Sequence, residues 1–159
     1  MSKTFTDFGL GKAITITLAS LANDAMRISE QFVNSPYADS GMFNIALKTH
    51  TTGPVAGSYD VWLIAGYKDG ATNVVDDDMG VADAVVTATW LRSGRLLKRW
   101  EHSVFAPGVS KVLRQSVLVT DLPKFFSILV HNNASGQILN ASGHEITFQP
   151  RITTTVESR

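Results

Sequence analysis

One stretch limits what this chain can become: Leu122-Pro123-Lys124-Phe125-Phe126-Ser127-Ile128-Leu129-Val130-His131-Asn132-Asn133. A proline leads into a run of apolar and β-prone residues, and Asn132-Asn133-Ala134-Ser135-Gly136 ends it with turn chemistry. A short apolar run bounded by turn signals marks a strand buried on both faces. The stretch therefore predicts a central strand of a β-sandwich, with other strands pairing around it.

The rest of the chain supplies those partners. Lys12 to Leu18 alternates, with Ile14, Ile16 and Leu18 on one face and Thr15 and Thr17 on the other. That is a half-buried strand. Residues 19–25 are small and polar; a loop followed by a strand over 25–33 is preferred to a short helix. Phe43, Ile45 and Leu47 alternate in a further strand. Tyr59 to Tyr67 is apolar on both faces, so it is central or its outer face meets a partner. Residues 68–83 form the longest polar interruption. Ala84 to Leu91 reads as a strand, Arg92-Ser93-Gly94-Arg95 as a tight turn, and Leu96 to Phe105 as a strand pairing back across it. Val109 to Thr120 precedes the central strand. Glu145 to Val156 closes the domain with Ile146, Phe148 and Ile152 directed inward, and Pro150 marks an edge or bulge. The fold class this predicts is all-β, a two-sheet sandwich of jelly-roll-like, Greek-key order. Residues 1–11, with Phe5, Phe8, Gly9 and Gly11, read as an N-terminal arm, and residues 12–159 as a single domain.

Composition narrows function mainly by exclusion. Of 159 residues, 44% are hydrophobic and only 18% charged, which disfavours a coiled coil. Without cysteine the chain has neither disulfides nor thiolate metal sites. The opening residues lack the apolar core of a signal peptide, and no apolar run is long enough for a membrane helix. Net charge is zero, so bulk nucleic-acid binding is not expected. Residues 1–80 hold five Lys/Arg and nine Asp/Glu, net −4, and residues 81–159 hold nine and five, net +4. Such a split either orients identical copies toward each other or disappears when the fold mixes the halves.

Few groups carry chemistry. Asp76, Asp77 and Asp78 invite a hard cation, but adjacent side chains on an extended loop alternate in direction, so a solvated acidic loop is the simpler reading. His50, His102, His131 and His144 show no zinc spacing. Nucleophile-elbow, dinucleotide and Walker motifs do not occur. No cofactor, metal or catalytic residue is implied. Arg92, Arg95, Lys98 and Arg99 surround a turn, either as a grip for an acidic surface or as charge protecting a sheet edge. Trp62, Trp90 and Trp100, with Tyr37, Tyr59 and Tyr67, would serve a sugar-binding face only if two or more lie exposed in one groove.

Residues Ile14 to Ala22, Leu122-Pro123-Lys124-Phe125-Phe126 and His131-Asn132-Asn133-Ala134-Ser135-Gly136 carry a resemblance. In these segments the chain resembles small virion proteins of tailed bacteriophages, of the capsid decoration (cement) or head-component type. The resemblance implies a jelly-roll-like sandwich on the capsid exterior, assembled in the host cytoplasm. It also implies a homo-oligomer (dimer or trimer) whose partner is the major capsid protein, with no enzymatic activity. Rival readings are a head–tail connector, a tail or fibre-base component, and a carbohydrate-binding sandwich for host attachment. The interface residues expected are Phe5 and Phe8 in the arm, Arg95 and Arg99 as a basic contact, and Asp76, Asp77 and Asp78 as an acidic one.

Overall fold

The computed structural model describes residues 2–35, 37–69, 72–75, 82–86, 94–101 and 109–157. These form strands, turns and bends, with no helix among them. The strands are β1 (Ser2–Phe8), β2 (Lys12–Ala13), β3 (Met26–Ile28), β4 (Phe32–Val33), β5 (Ser40–Lys48) and β6 (Ser58–Asp69). They continue with β7 (Thr72–Val75), β8 (Ala84–Val86), β9 (Arg95–Glu101), β10 (Val112–Thr120), β11 (Phe125–Asn133) and β12 (Glu145–Glu157).

Two antiparallel sheets pack face to face. In the first, β1 and β2 follow one edge of β12, and β5 and then β10 lie beyond its other edge. In the second, β9 and β7 share one edge of β6, β11 lies on its other edge, β3 and β4 follow β11, and β8 borders β3. When β1/β2 and β3/β4 are each taken as one interrupted strand, the chain alternates between sheets. It changes sheet at every connection except β6 to β9. That is the eight-stranded jelly-roll order, with β7 and β8 as additions.

The central strand is where the apolar run put it. β11 is hydrogen-bonded to β6 along its whole length and to β4 and β3 on its other edge. Phe126, Ser127, Ile128, Leu129 and Val130 are all buried. Phe126, Ile128 and Val130 face the inter-sheet core, which they share with Tyr59, Val61 and Leu63 of β6 and Phe43, Ile45 and Leu47 of β5. Phe43 and Phe148 from one sheet meet Phe126 and Phe32 from the other, with ring centroids 5.0 to 5.6 Å apart. Mixed stacked and edge-on aromatic contacts add to the burial of the rings themselves. On the opposite face of the second sheet, Ile28, Ile64 and Leu129 are fully buried in a second cluster with Met26, Trp62 and Val86. The double-sided pattern of Tyr59 to Tyr67 thus has its reason: β6 is central and closed to solvent on both faces over most of its length.

The two charge halves interleave, since each sheet draws strands from both. Arg27 pairs with Asp83, and Arg99 with Asp60, each across the halves.

Three expectations are corrected. Residues 95–101 do not pair with residues 84–86: β9 lies on β6 and β8 on β3, at opposite sides of the sheet, and residues 87–93 of the expected hairpin lie outside the described residues. A turn signal specifies a reversal, but it does not choose which of several apolar strands receives the chain. A bulge opposite Val61/Trp62 puts Leu97 on the core beside Trp100, and Leu96 turns outward. Ile152 is 41% exposed rather than inward, because β12 has by then passed the end of β5. Of the two expectations for Pro150, an edge or a bulge, the edge is not met: the residue is buried inside β12, at a register irregularity. It stands where β12 finishes with β5, opposite Gly41, and where the β1/β2 edge slips by one residue across Gly9 to Gly11. The missing N–H of proline is tolerated at that irregularity.

The strand expected over 12–18 keeps its alternating burial but forms only a short ladder. The Ile14 N–H donates to the Ile146 carbonyl of the first sheet, and the Thr15 carbonyl accepts from the Glu30 N–H beside the second. The segment is crossing from one sheet to the other.

Candidate functional site

The expected arm is strand. β1 pairs with the last seven residues of β12, from Ser2 opposite Glu157 to Phe8 opposite Arg151. β5 leaves β12 at Pro150, so beyond that point, among the described residues, β12 pairs only with β1. The result is a two-stranded ribbon extending past the sandwich. Phe5 lies at its middle register position, and Phe8, at its base, is 42% exposed.

The two expected basic contacts have separate fates. Arg99 points to the outer face of β9, where its Nε and a terminal nitrogen each donate to Asp60 at 2.8 Å. Asp60 also accepts from the Ser58 hydroxyl at 2.9 Å. His131 is the cross-strand partner of Asp60. Burial pushes the His131 pKa down, against the opposing pull of the Asp60 and Asp24 carboxylates, while Arg99 lowers it further. The Arg99 fork is therefore committed within the chain. Arg95 instead reaches the Thr120 carbonyl at 2.8 Å and lines a cleft of about 530 Å3 with Tyr37, Asp39, Asp121 and the apolar Leu63 and Leu122. A second cleft of about 450 Å3 lies on the other side of Tyr37 and Asp39, and holds Arg151 and Ile152. Asp76, Asp77 and Asp78 lie outside the described residues, as do Arg92, Trp90 and His102.

Tyr37 stands between the two clefts. It is 57% exposed, yet its hydroxyl donates to the Leu122 carbonyl at 3.0 Å, which fixes the ring. Desolvation and the neighbouring Asp39 carboxylate, then Asp121, raise its pKa. Of the other aromatic residues weighed for sugar binding, Tyr59 is buried, Trp62 and Trp100 are half-buried against apolar clusters, and Tyr67 is exposed on β6 without lining either cleft. Of these aromatic residues Tyr37 alone lines the two clefts described.

A third concavity, about 430 Å3, crosses the solvent face of the first sheet. Arg114, Ala46 and Glu145 sit side by side there on β10, β5 and β12. The neighbouring row is tied by Ser116 donating to Asn44 at 2.6 Å and Asn44 donating to Gln149 at 3.1 Å. These bonds satisfy the groups within the sheet, as expected of a solvated antiparallel face.

Among the described residues no histidine activates a hydroxyl in any of these clefts. His50 Nδ1 lies 2.7 Å from the Thr52 hydroxyl, but in an exposed turn away from them. His144 bridges the Asn140 carbonyl at 2.7 Å and the Lys48 N–H at 3.1 Å. Among the described residues no three His, Asp or Glu side chains converge as metal ligands.

No known family model matches the chain, and no curated protein matches it either. The surfaces described above are thus the basis for a functional reading.

Several residues of these surfaces were not visible in the sequence. Tyr37 was weighed only among the aromatic residues; Asp39 beside it, Asp121 and Arg151 come from three separate segments and share no spacing. Asp60 did leave a signal, as the lone charge inside the otherwise apolar run from Tyr59 to Ala65. A charge in such a strand needs a buried partner.

Proposed function

We propose that this chain is a non-enzymatic structural protein of a bacteriophage virion, a capsid decoration (cement) protein that binds the assembled head and stiffens it. The observation that carries the reading is the ribbon of β1 and the end of β12, which leaves the sandwich and, among the described residues, has no further strand along its outer backbone. A rigid two-sheet body with a projecting, backbone-exposed ribbon suits a protein that must link neighbours in a lattice. The resemblance of residues 14–22, 122–126 and 131–136 to phage decoration proteins supports the same reading. The jelly-roll order is compatible with it, although that fold also serves lectins and other proteins. Each contact can be modest, because the stabilising free energy sums over many copies on one shell.

The test is the copy number per purified particle, measured by quantitative mass spectrometry against the major capsid protein. A decoration protein gives a count in the hundreds. A handful or about a dozen copies moves the chain to the neck, tail or fibre base, where closed rings set the number. Absence from the particle overturns the virion reading.

A further inference from the structure

We infer that the outer edge of β1 is a self-association surface: two copies of this chain join by antiparallel pairing of β1 with β1 about a two-fold axis. The contact does not depend on the virion reading.

The backbone of β1 decides which groups are available. The Gly9 N–H donates to the Pro150 carbonyl at 2.8 Å, and the register continues Asp7 opposite Ile152, Phe5 opposite Thr154 and Lys3 opposite Val156. Hydrogen-bonded pairs alternate along an antiparallel ladder. Hence Lys3, Asp7 and the residue between them at position 5 direct their backbone groups at β12. Ser2, Thr4, Thr6 and Phe8 direct theirs away from it. Phe8 shows this directly, since its N–H is taken by the Asp7 carboxylate of its own chain at 2.7 Å.

Among the described residues no further strand covers that edge, and of the usual protections it has only the charges of Lys3 and Asp7. It runs for seven residues and contains no proline. The outer strand of the second sheet, β8, has three residues, and at the far margin of the first sheet Arg95 reaches over to the last carbonyl of β10. The remaining free side of the ribbon, along Arg151 to Thr153, borders the cleft formed with Tyr37 to Ser40. A two-stranded ribbon by itself is at best marginally stable in water, and a third strand supports it.

A second copy fits this edge in one symmetric register. Centring the axis on Phe5 sets Thr4 opposite Thr6 as a hydrogen-bonded pair of backbone groups directed away from β12, and Ser2 opposite Phe8, whose carbonyl can accept the Ser2 N–H while its own N–H stays with Asp7. The same register sets Lys3 opposite Asp7, twice by symmetry, so residues of unlike charge occupy the close, non-hydrogen-bonded positions. The product is a four-stranded sheet, β12–β1–β1–β12, spanning the dimer. An isologous contact of this kind closes at two copies.

The test is sedimentation velocity of the full chain over a dilution series. The expected species at high concentration is a dimer, twice the 17.2 kDa chain mass. Thr6→Pro removes an outward N–H without touching the β12 ladder, so it should give a folded monomer. Thr155→Pro removes an N–H from the other side of the ribbon and should leave the dimer intact. Lys3→Asp or Asp7→Lys should each weaken dimerisation about tenfold, and the double exchange should restore it. A wild-type chain that stays monomeric or forms a trimer overturns the inference. So does a dimer indifferent to Thr6→Pro, one lost with Thr155→Pro alone, or single charge reversals that the double exchange does not rescue. A dimer that passes these tests but is missing from particles would refute only the virion reading.

Discussion

Arg99 holds Asp60 in a two-pronged grip, with both bonds at 2.8 Å, and Asp60 is only 1% exposed. The pair joins β9 to β6 just before the bulge that redirects Leu96. Parallel hydrogen bonds from one guanidinium to one carboxylate fix orientation as well as charge. Among the described residues, removing the arginine would leave the buried carboxylate with the Ser58 hydroxyl alone. Arg99→Leu is therefore expected to lower unfolding free energy by about 3 kcal/mol in urea titration. Arg99→Lys should recover only part of the loss, because an ammonium cannot reproduce the fork.

Asp83 forms the other tie between distant segments. It accepts from Arg27 Nε at 2.6 Å and from both the backbone N–H and the hydroxyl of Thr17, at 2.9 and 2.5 Å. Burial opposes its charge, but the hydrogen bonds from Arg27 and Thr17 and the Arg27 charge outweigh burial and hold the pKa below the ordinary carboxylate value. A depressed carboxylate pKa contributes stability that is fully present above the unfolded value of about 4 and is lost as pH falls through the folded value. Asp83→Asn should cost about 1–2 kcal/mol at neutral pH and flatten the acid limb of the stability curve. Chemical denaturation at a series of pH values from neutral to acid checks both.

His131 and His144 set a second pH dependence at higher pH. Burial lowers both pKa values; the Asn140 carbonyl opposes the shift at His144, and Lys48 adds to it. At His144 the Lys48 N–H donates to Nδ1, so Nε2 carries the proton given to Asn140. Protonating Nδ1 would break the Lys48 bond. For a histidine whose folded pKa is depressed, the unfolded chain binds the proton first, so stability falls as pH drops below about 6.5. NMR titration should find both histidines below that value. His144→Gln should reduce the slope between neutral pH and the carboxylate range.

Gly41 leaves room for the aromatic cluster. A Cβ placed there would sit 2.3 Å from a Phe148 ring carbon and 2.7 Å from the Gln149 carbonyl. Gly41→Ala should force Phe148 from its place among Phe43, Phe126 and Phe32, at a cost of about 1–3 kcal/mol in thermal or urea unfolding. An unchanged midpoint would show that β5 and β12 can separate at Pro150.

The sequence alone determined the elements whose burial is periodic. Residues 43–47 alternate, residues 59–67 are apolar on both faces and residues 125–130 are apolar apart from Ser127, so their strand character and relative depth were legible from the residue pattern. In each case the environment of a residue is written in its own side chain and those of its neighbours two positions away. The pairing of β9 with β6, the outward turn of Leu96 and Ile152, and the Asp60–Arg99 grip were decided only by tertiary structure. Turn residues set where the chain reverses, whereas strand choice depends on which apolar surfaces remain uncovered once the sheets meet. The same holds for the candidate surfaces. Arg95 was visible as part of a basic cluster, but its cleft draws Tyr37, Asp39 and Asp121 from distant segments that only the jelly-roll crossings bring together. The free edge of β1 was likewise hidden, because an unpaired backbone edge depends on which strands reach it in the folded sheet rather than on the residues of β1 themselves.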